Sequence, residues 1–287
     1  MRLIDALNSA TERFATAGID APRDNAEQLL CAVRNCPRSD LFVHATQTLT
    51  DAELQQFQTY VTQRLTRKPL QYIVGRVSFY SVTLTVTPAV LIPRPETELL
   101  VEAVLQRLPS GTVRVADIGT GSGAIALAIA DQRPDAEIFA TDISETALTV
   151  ARENAVQTGC KSRIHFVRGD LLSPFTPSFW QSFDAIVSNP PYVAKHERDQ
   201  LAPEVIQYEP HQALFSGQCG TSHHQQLIDG GWRYLKPGGI LALEMGHGQA
   251  PTLSRLANAT GHYRSLTILP DYNGIDRIFI GKIREPD

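Results

Sequence analysis

Over residues 1 to about 68, apolar positions recur at helical spacing. Leu3, Ile4, Leu7 and Phe14 share one face, and after Pro22 so do Ala26, Leu29, Leu30 and Val33. Thr50-Asp51-Ala52-Glu53 reads as a capping box opening a further helix through Leu54, Phe57, Val61 and Leu65. The pattern then changes. Tyr72, Val74, Val77, Phe79, Tyr80, Val82, Leu84 and Val86 alternate with polar residues and predict a hairpin turning near Tyr80-Ser81. Pro93-Arg94-Pro95 stiffens the entry to a helix that Glu96 or Thr97 opens and Leu99, Leu100, Val104 and Leu105 continue. From 112 onward, apolar strands alternate with helices. The strands are Val113–Ile118, Ala136–Thr141, Arg163–Val167, Phe183–Ser188, Ile240–Met245 and Ile278–Ile283; Ala124–Ala130 and Glu145–Gln157 are helical. This alternation predicts an α/β fold with a mainly parallel sheet covered on both faces. The chain divides into a helical domain over 1–68, a β-hairpin linker over 69–92 and an α/β domain over 93–287.

Composition narrows the function classes. At 287 residues, 43% hydrophobic and 20% charged, the chain has the make-up of an ordinary globular protein. A net charge of −4 argues against non-specific nucleic-acid binding as its main role. Arg64, Arg67, Lys68 and Arg76 form a local basic stretch that reads as a solvated helix end. Cys31, Cys36, Cys160 and Cys219 form no CxxC pair, and His223-His224 lacks a third ligand in motif spacing, so no metal site is expected. Asp5 and Glu12 interrupt the first apolar pattern, unlike a signal peptide, and no apolar run approaches the roughly 20 residues of a membrane span. A cytoplasmic location is expected.

The chemistry lies at the strand ends. Gly119-Thr120-Gly121-Ser122-Gly123 follows the first strand, where glycines permit positive φ and close approach of a ligand to backbone. Alone, this loop also fits a dinucleotide fingerprint or a tight turn. Three acids discriminate. Asp142, ending the second strand, can accept both hydroxyls of a ribose. Asp170, after the third, can accept from an adenine amino group that Leu171 would cover. Asp117, beside the loop, suits a cationic amino-acid tail better than a pyrophosphate. Together they outline S-adenosyl-L-methionine more readily than NAD. Asn189-Pro190-Pro191-Tyr192 then follows the fourth strand. Two prolines make it a stiff loop carrying an amide, free carbonyls and an aromatic face, a set suited to holding a planar –NH2 group.

Asp117–Gly123 resembles motif I of class I methyltransferases, and Asn189–Tyr192 resembles the (D/N)PP(Y/F/W) motif of enzymes that methylate amino or amide nitrogens. With Gln71-Tyr72-Ile73-Val74-Gly75, Pro93-Arg94-Pro95-Glu96-Thr97-Glu98 and Tyr208-Glu209-Pro210, the chain resembles the HemK-like protein-(glutamine-N5) methyltransferases. The Arg-Pro-Glu-Thr-Glu segment points to the branch acting on peptide-chain release factors, the PrmC family. The resemblance implies a Rossmann-like, mainly parallel seven-stranded sheet and a small N-terminal helical, substrate-binding domain. It implies S-adenosyl-L-methionine as methyl donor, with S-adenosyl-L-homocysteine as product, and the Gly-Gly-Gln glutamine of class 1 release factors as acceptor. It places Asp117, Gly119, Thr120, Gly121, Ser122, Gly123, Asp142, Asp170, Leu171 and Asn189 at the cofactor. Asn189, Pro190 and Tyr192 carry catalysis, with Pro191, Arg94 and Glu96 also at the substrate. A monomer without direct nucleic-acid or membrane contact is expected. The alternatives are a glutamine methyltransferase of a ribosomal protein and an adenine-N6 nucleic-acid methyltransferase. Phe215–His224 departs from the family's acidic loop at that point.

Overall fold

The computed structural model describes residues 1–284. Two compact units emerge: Met1–Arg76 with Ala202–Tyr208, and Val77–Leu201 with the segment from Glu209.

The first unit is helical: α1 (Leu3–Thr16), α2 (Pro22–Arg34), α3 (Arg38–Val43), α4 (Asp51–Leu65), α5 (Leu70–Val74) and, returning later in the chain, α9 (Pro203–Tyr208). The periodic residues named from sequence form its core: Leu3, Leu7, Phe14, Leu29, Leu30, Phe57 and Val61 are all buried. The Thr50–Glu53 capping box is present, with the Thr50 side chain accepting from Glu53 N–H at 3.2 Å and Glu53 accepting from Thr50 N–H at 2.8 Å. Arg64 is not a solvated helix end. Its guanidinium is buried, donating to Asn25 Oδ1 at 2.8 Å and to Glu204 of α9 at 3.2 Å, and Arg67 also pairs with Glu204. Segment 70–74 is helical rather than the first hairpin strand. Leu70, Tyr72 and Ile73 bury one side of a single turn, and Gly75, at φ 79°, ends it. Packing overrides the β-propensity of that segment.

The second unit begins with a hairpin, β1 (Arg76–Phe79) and β2 (Val82–Thr85), followed by α6 (Pro95–Leu105). Pro95 occupies the first helical position and Arg94 the N-cap, one residue earlier than the expected start at Glu96; proline's fixed φ and missing N–H suit that position. The sheet strands are β3 (Val113–Ile118), β4 (Ala136–Asp142), β5 (Ile164–Arg168), β6 (Phe183–Ser188), β7 (Leu235–Glu244), β8 (Tyr263–Pro270) and β9 (Asp276–Ile283), in the spatial order β5-β4-β3-β6-β7-β9-β8. The first five are parallel, while β9 is antiparallel to both β7 and β8. Between the strands run α7 (Ala124–Gln132), α8 (Glu145–Gln157), α10 (Ser222–Gly231) and α11 (Ala250–Thr260). Every residue of α7 from Ala124 to Ala130 is buried, and its alanines let it lie close against the sheet. Strand order reverses at β3, with β4 on one side and β6 on the other. The carboxyl ends there form the crevice in which open α/β sheets bind ligands.

Candidate active site

At that crevice lies a cleft of about 190 Å³. Gly119, Gly121, Asp142, Asp170, Leu171, Asn189 and Pro191 line it. The fold therefore brings residues from the ends of β3, β4, β5 and β6 to one cavity.

Gly119 and Gly121 adopt φ of 72° and 57°, a conformation L side chains rarely hold, and a Cβ on either would meet no heavy atom within 4 Å. Their backbone faces open space that a ligand can approach. Asp142 braces this loop from β4: Oδ2 accepts Gly121 N–H at 2.9 Å and Oδ1 accepts Ser144 N–H at 2.9 Å. Burial raises its pKa, while those backbone bonds oppose the rise. Leu171 holds the left-handed φ of 47°, a strained backbone for leucine, at the cleft wall. These residues fit S-adenosylmethionine: open glycine backbone at one end, a carboxylate beside it, and an apolar and an acidic side chain at the other.

Thr120, Ser122 and Gly123 do not line the cleft. They build the loop behind it. Gly123, at φ 83°, lies where a Cβ would stand 3.3 Å from that of Ala151 on α8. Asp117, expected against the cofactor's tail, is likewise turned into the loop. It is wholly buried, and Oδ2 accepts Thr120 Oγ1–H at 2.6 Å and Ala126 N–H at 3.2 Å. Its Oδ1 is buried without a partner, and burial pushes the pKa up to about 7.

Asn189 begins the loop after β6, whose last residue, Ser188, donates to Ile118 O at 2.6 Å and ties β6 to β3. The Asn189 amide is held from behind: Nδ2 donates to Thr97 Oγ1 at 3.1 Å, and Thr97 donates to Glu244 Oε2 at 2.6 Å. Tyr192 OH donates to the other oxygen of Glu244 at 3.3 Å. Pro190 and Tyr192 lie off the cleft wall. Gln249 braces the loop's far end by donating to Tyr192 O at 3.0 Å and Gly220 O at 3.3 Å. The divergent segment after Leu214 belongs to the same support. Val193 N–H donates to Leu214 O and Ser216 N–H to Val193 O, each at 2.9 Å, and Ser216 Oγ meets His223 Nδ1 at 2.6 Å. Arg94 and Glu96 do not line the cleft. Arg94 is ion-paired to the buried Glu209, which also accepts Ile92 N–H at 3.2 Å.

Sequence reasoning missed part of the wall: Ala89, Val90, Leu91, Ile143, Ala147, Pro210, Gln212, Ala213 and His223. Most of these are apolar and carry no chemical signature, and Gln212 and His223 stand in no motif spacing that marks them. The neighbour of His223, His224, is buried and kept neutral. Burial draws its pKa down to about 4, and its Nε2 bonds Glu244 O at 2.8 Å. Among the described residues, no cluster of three or more potential metal ligands occurs.

A glycine loop after the first sheet strand, an acid after the second and an amide-bearing Pro-Pro loop after the fourth define a methyltransferase of the S-adenosylmethionine-dependent class. The PrmC N-terminal domain family matches residues 5–75 and the methyltransferase small domain family residues 95–218. The chain is 43% identical over 286 residues to the release factor glutamine methyltransferase of Moorella thermoacetica, covering 99% of this chain and 100% of that protein. It is 39% identical to that of Koribacter versatilis, covering 98% and 99%. Among solved structures it resembles a methyltransferase from Pyrococcus furiosus with TM-score 0.52 at 17% identity, covering 78% of this chain and 96% of that one. It also resembles the hMettl16 catalytic domain, with TM-score 0.58 at 14% identity, covering 83% and 85%. These two likenesses concern the fold alone. The chain belongs to the release factor glutamine methyltransferase family.

Proposed function

We propose that this protein transfers a methyl group from S-adenosyl-L-methionine to the side-chain N5 nitrogen of the glutamine in the Gly-Gly-Gln motif of class 1 peptide-chain release factors. The observation that carries the reading is the shared cleft: Asn189 and Pro191 stand in the same cavity wall as Gly119, Gly121, Asp142 and Leu171. An acceptor held by the tetrapeptide thus lies beside a donor held by the glycine loop. When bound, the cofactor would supply an electrophilic methyl on a sulfonium, with S-adenosyl-L-homocysteine as the product.

An amide nitrogen is a poor nucleophile because its lone pair is delocalised into the carbonyl. Orientation is therefore the main contribution asked of the protein. Asn189 Oδ1, on the cleft wall, accepts one amide hydrogen and Pro191 keeps the loop stiff; Pro190 and Tyr192 stand just off that wall, so the Pro190 carbonyl accepts the second hydrogen and Tyr192 packs beside the amide plane only where the bound amide reaches past it. As positive charge develops on the nitrogen, the two acceptors bind it more strongly than they bind the ground state, which lowers the barrier, and after transfer the nitrogen releases one of its protons to solvent, leaving the neutral N-methyl amide. Asp142 holds the ribose, and Asp170 with Leu171 holds the adenine. Arg94, through Glu209, fixes the chain leading into α6, and Glu96 meets the substrate peptide at the helix entry. The protein acts as a monomer in the cytoplasm, and its helical unit engages the release factor. Among the described residues, no helix is long and apolar enough to cross a membrane.

The test is transfer of labelled methyl from S-adenosylmethionine to a release factor, its Gln→Ala variant, ribosomal protein or DNA. Label on the wild-type release factor alone is expected; label on DNA would overturn the reading. Asn189→Ala should lower kcat by roughly 10³-fold, as loss of one preorganised transition-state contact does, while calorimetric cofactor affinity stays near wild type.

A further inference from the structure

Glu244 has no role in the transfer described above, yet it is 1% exposed and lies at the carboxyl end of β7, next to β6 in the sheet. Two hydroxyls donate to it, Thr97 from α6 and Tyr192 from the tetrapeptide. Arg277 on β9 adds favourable charge, Glu96 on α6 adds unfavourable charge, and the neutral His224 on α10 touches only its backbone oxygen. Thr97 is 3% exposed.

Hydrogen-bond logic gives this cluster a direction. A hydroxyl has one proton. Thr97 commits its proton to the carboxylate, so it can only accept from Asn189. The end of the Asn189 amide facing Thr97 must therefore be –NH2, and Oδ1 is the end left for the cleft. An amide's two ends are nearly isosteric and are told apart only by such partners. We infer that Thr97 and Glu244 are positioning residues that set which end of the Asn189 amide meets the substrate, with the buried carboxylate as the fixed acceptor at the end of the chain. The two hydrogen bonds in series, Asn189 to Thr97 and Thr97 to Glu244, also polarise one another, so the same chain makes Oδ1 a stronger acceptor for the substrate N–H. The inference rests on the role proposed for Asn189.

The chain depends on charge. Burial raises the Glu244 pKa to about 7. A protonated carboxyl accepts less strongly and can itself donate to Thr97. The hydroxyl is then free to donate to Asn189 Oδ1 and to draw that oxygen out of the cleft. Activity should therefore rise with pH through about 7, because the productive form needs the ionised carboxylate.

The test compares Thr97→Val, Thr97→Ser and Glu244→Gln in the full chain. Thr97→Val keeps the shape and removes the hydroxyl. It should lower kcat by roughly 10- to 100-fold, below the loss expected for a direct transition-state contact, with the calorimetric affinity for S-adenosylmethionine within about twofold of wild type. Thr97→Ser should restore most of the rate. Glu244→Gln should remove the acid limb of the kcat profile. Without any substrate, the side-chain amide NMR signals of Asn189 should titrate with the same midpoint in wild type and be flat in Glu244→Gln. Wild-type kcat in Thr97→Val, or an unchanged acid limb in Glu244→Gln, overturns the inference. If Asn189→Ala is inactive in the same assay, the function stands and only this inference falls; if Asn189→Ala is active, the site assignment itself falls.

Discussion

Replacing Asp117 with asparagine should make the protein more stable and a poorer binder of its cofactor. Asp117 is wholly buried behind the glycine loop, with Oδ1 unpartnered and Asp142 adding like charge. Burial lifts its pKa from 3.8 to about 7, despite the opposing bonds from Thr120 and Ala126. A shift of about 3 units corresponds to about 4 kcal/mol of penalty on the ionised form. The sign follows from linkage. The folded state holds this proton more tightly than the unfolded chain, so the contribution to stability is intact below the unfolded value near 3.8. It is lost as pH rises through about 7. Asparagine does not titrate. It keeps an oxygen for the Thr120 and Ala126 donors but sets an unpartnered –NH2 where Oδ1 stood, which returns about 1–3 kcal/mol. A net gain of about 2 kcal/mol above pH 7 remains, or roughly 4–8 °C in Tm for a unit of this size. Thermal melts at pH 5, 6 and 8 should show the gap between variant and wild type opening as pH rises. Titration calorimetry should show S-adenosylmethionine binding weakened by roughly tenfold, because a buried negative charge under the loop favours a cationic ligand. A variant that melts at or below wild type at pH 8 refutes the argument that this carboxylate is held at a cost.

Two further substitutions test the supports of the site and of the helical unit. Gly220 has φ 72°, and a Cβ there would lie 2.4 Å from Tyr192 O, so Gly220→Ala must displace the tetrapeptide; kcat should fall at least about tenfold with little change in cofactor affinity, measured by label transfer and calorimetry. Thr50→Ala removes the cap on α4 and should cost about 1 kcal/mol in denaturant unfolding of the helical unit, leaving methyl transfer at saturating substrate unchanged.

What the sequence made legible follows from the physics of each signal. Buried strands such as Val113–Ile118 and Phe183–Ser188 stand out because parallel sheets are apolar on both faces. β8 did not stand out, since only Tyr263 in it is buried and the rest is exposed or partly so. α5 was misread because Tyr72, Ile73 and Val74 favour strands locally, and a one-turn helix offers too few residues for a period to show. At the site, Asn189 and Asp142 announced themselves by residue type and position. Thr97 and Glu244 did not, being 147 residues apart and joined only by the fold. A signal was present all the same: Glu244 is a lone acid closing the apolar run Ile240–Leu243, and a charge in such a strand demands partners.

Both carboxylates that burial drives to about 7 flank the same strand. Asp117 lies in β3 and Glu244 in β7, the two neighbours of β6, whose end carries Asn189. Neither touches the cleft. Each bonds a group that stands between it and the cleft: Asp117 accepts from Thr120 of the glycine loop, and Glu244 accepts from Thr97 and Tyr192. The arrangement answers the charge balance of the proposed reaction. A cationic methyl donor enters, and until the acceptor amide loses a proton the positive charge stays in the site. A carboxylate beside Asn189 would compete with it for the amide hydrogens; the two that do line the cleft, Asp142 and Asp170, stand at the ends of β4 and β5 instead. Placed one layer behind, on either side, Asp117 and Glu244 supply negative potential without offering a rival acceptor. The stability they forfeit thus lies near the carboxyl ends of β3 and β7, where the proposed reaction holds a cation, and substituting either should raise stability where it lowers transfer.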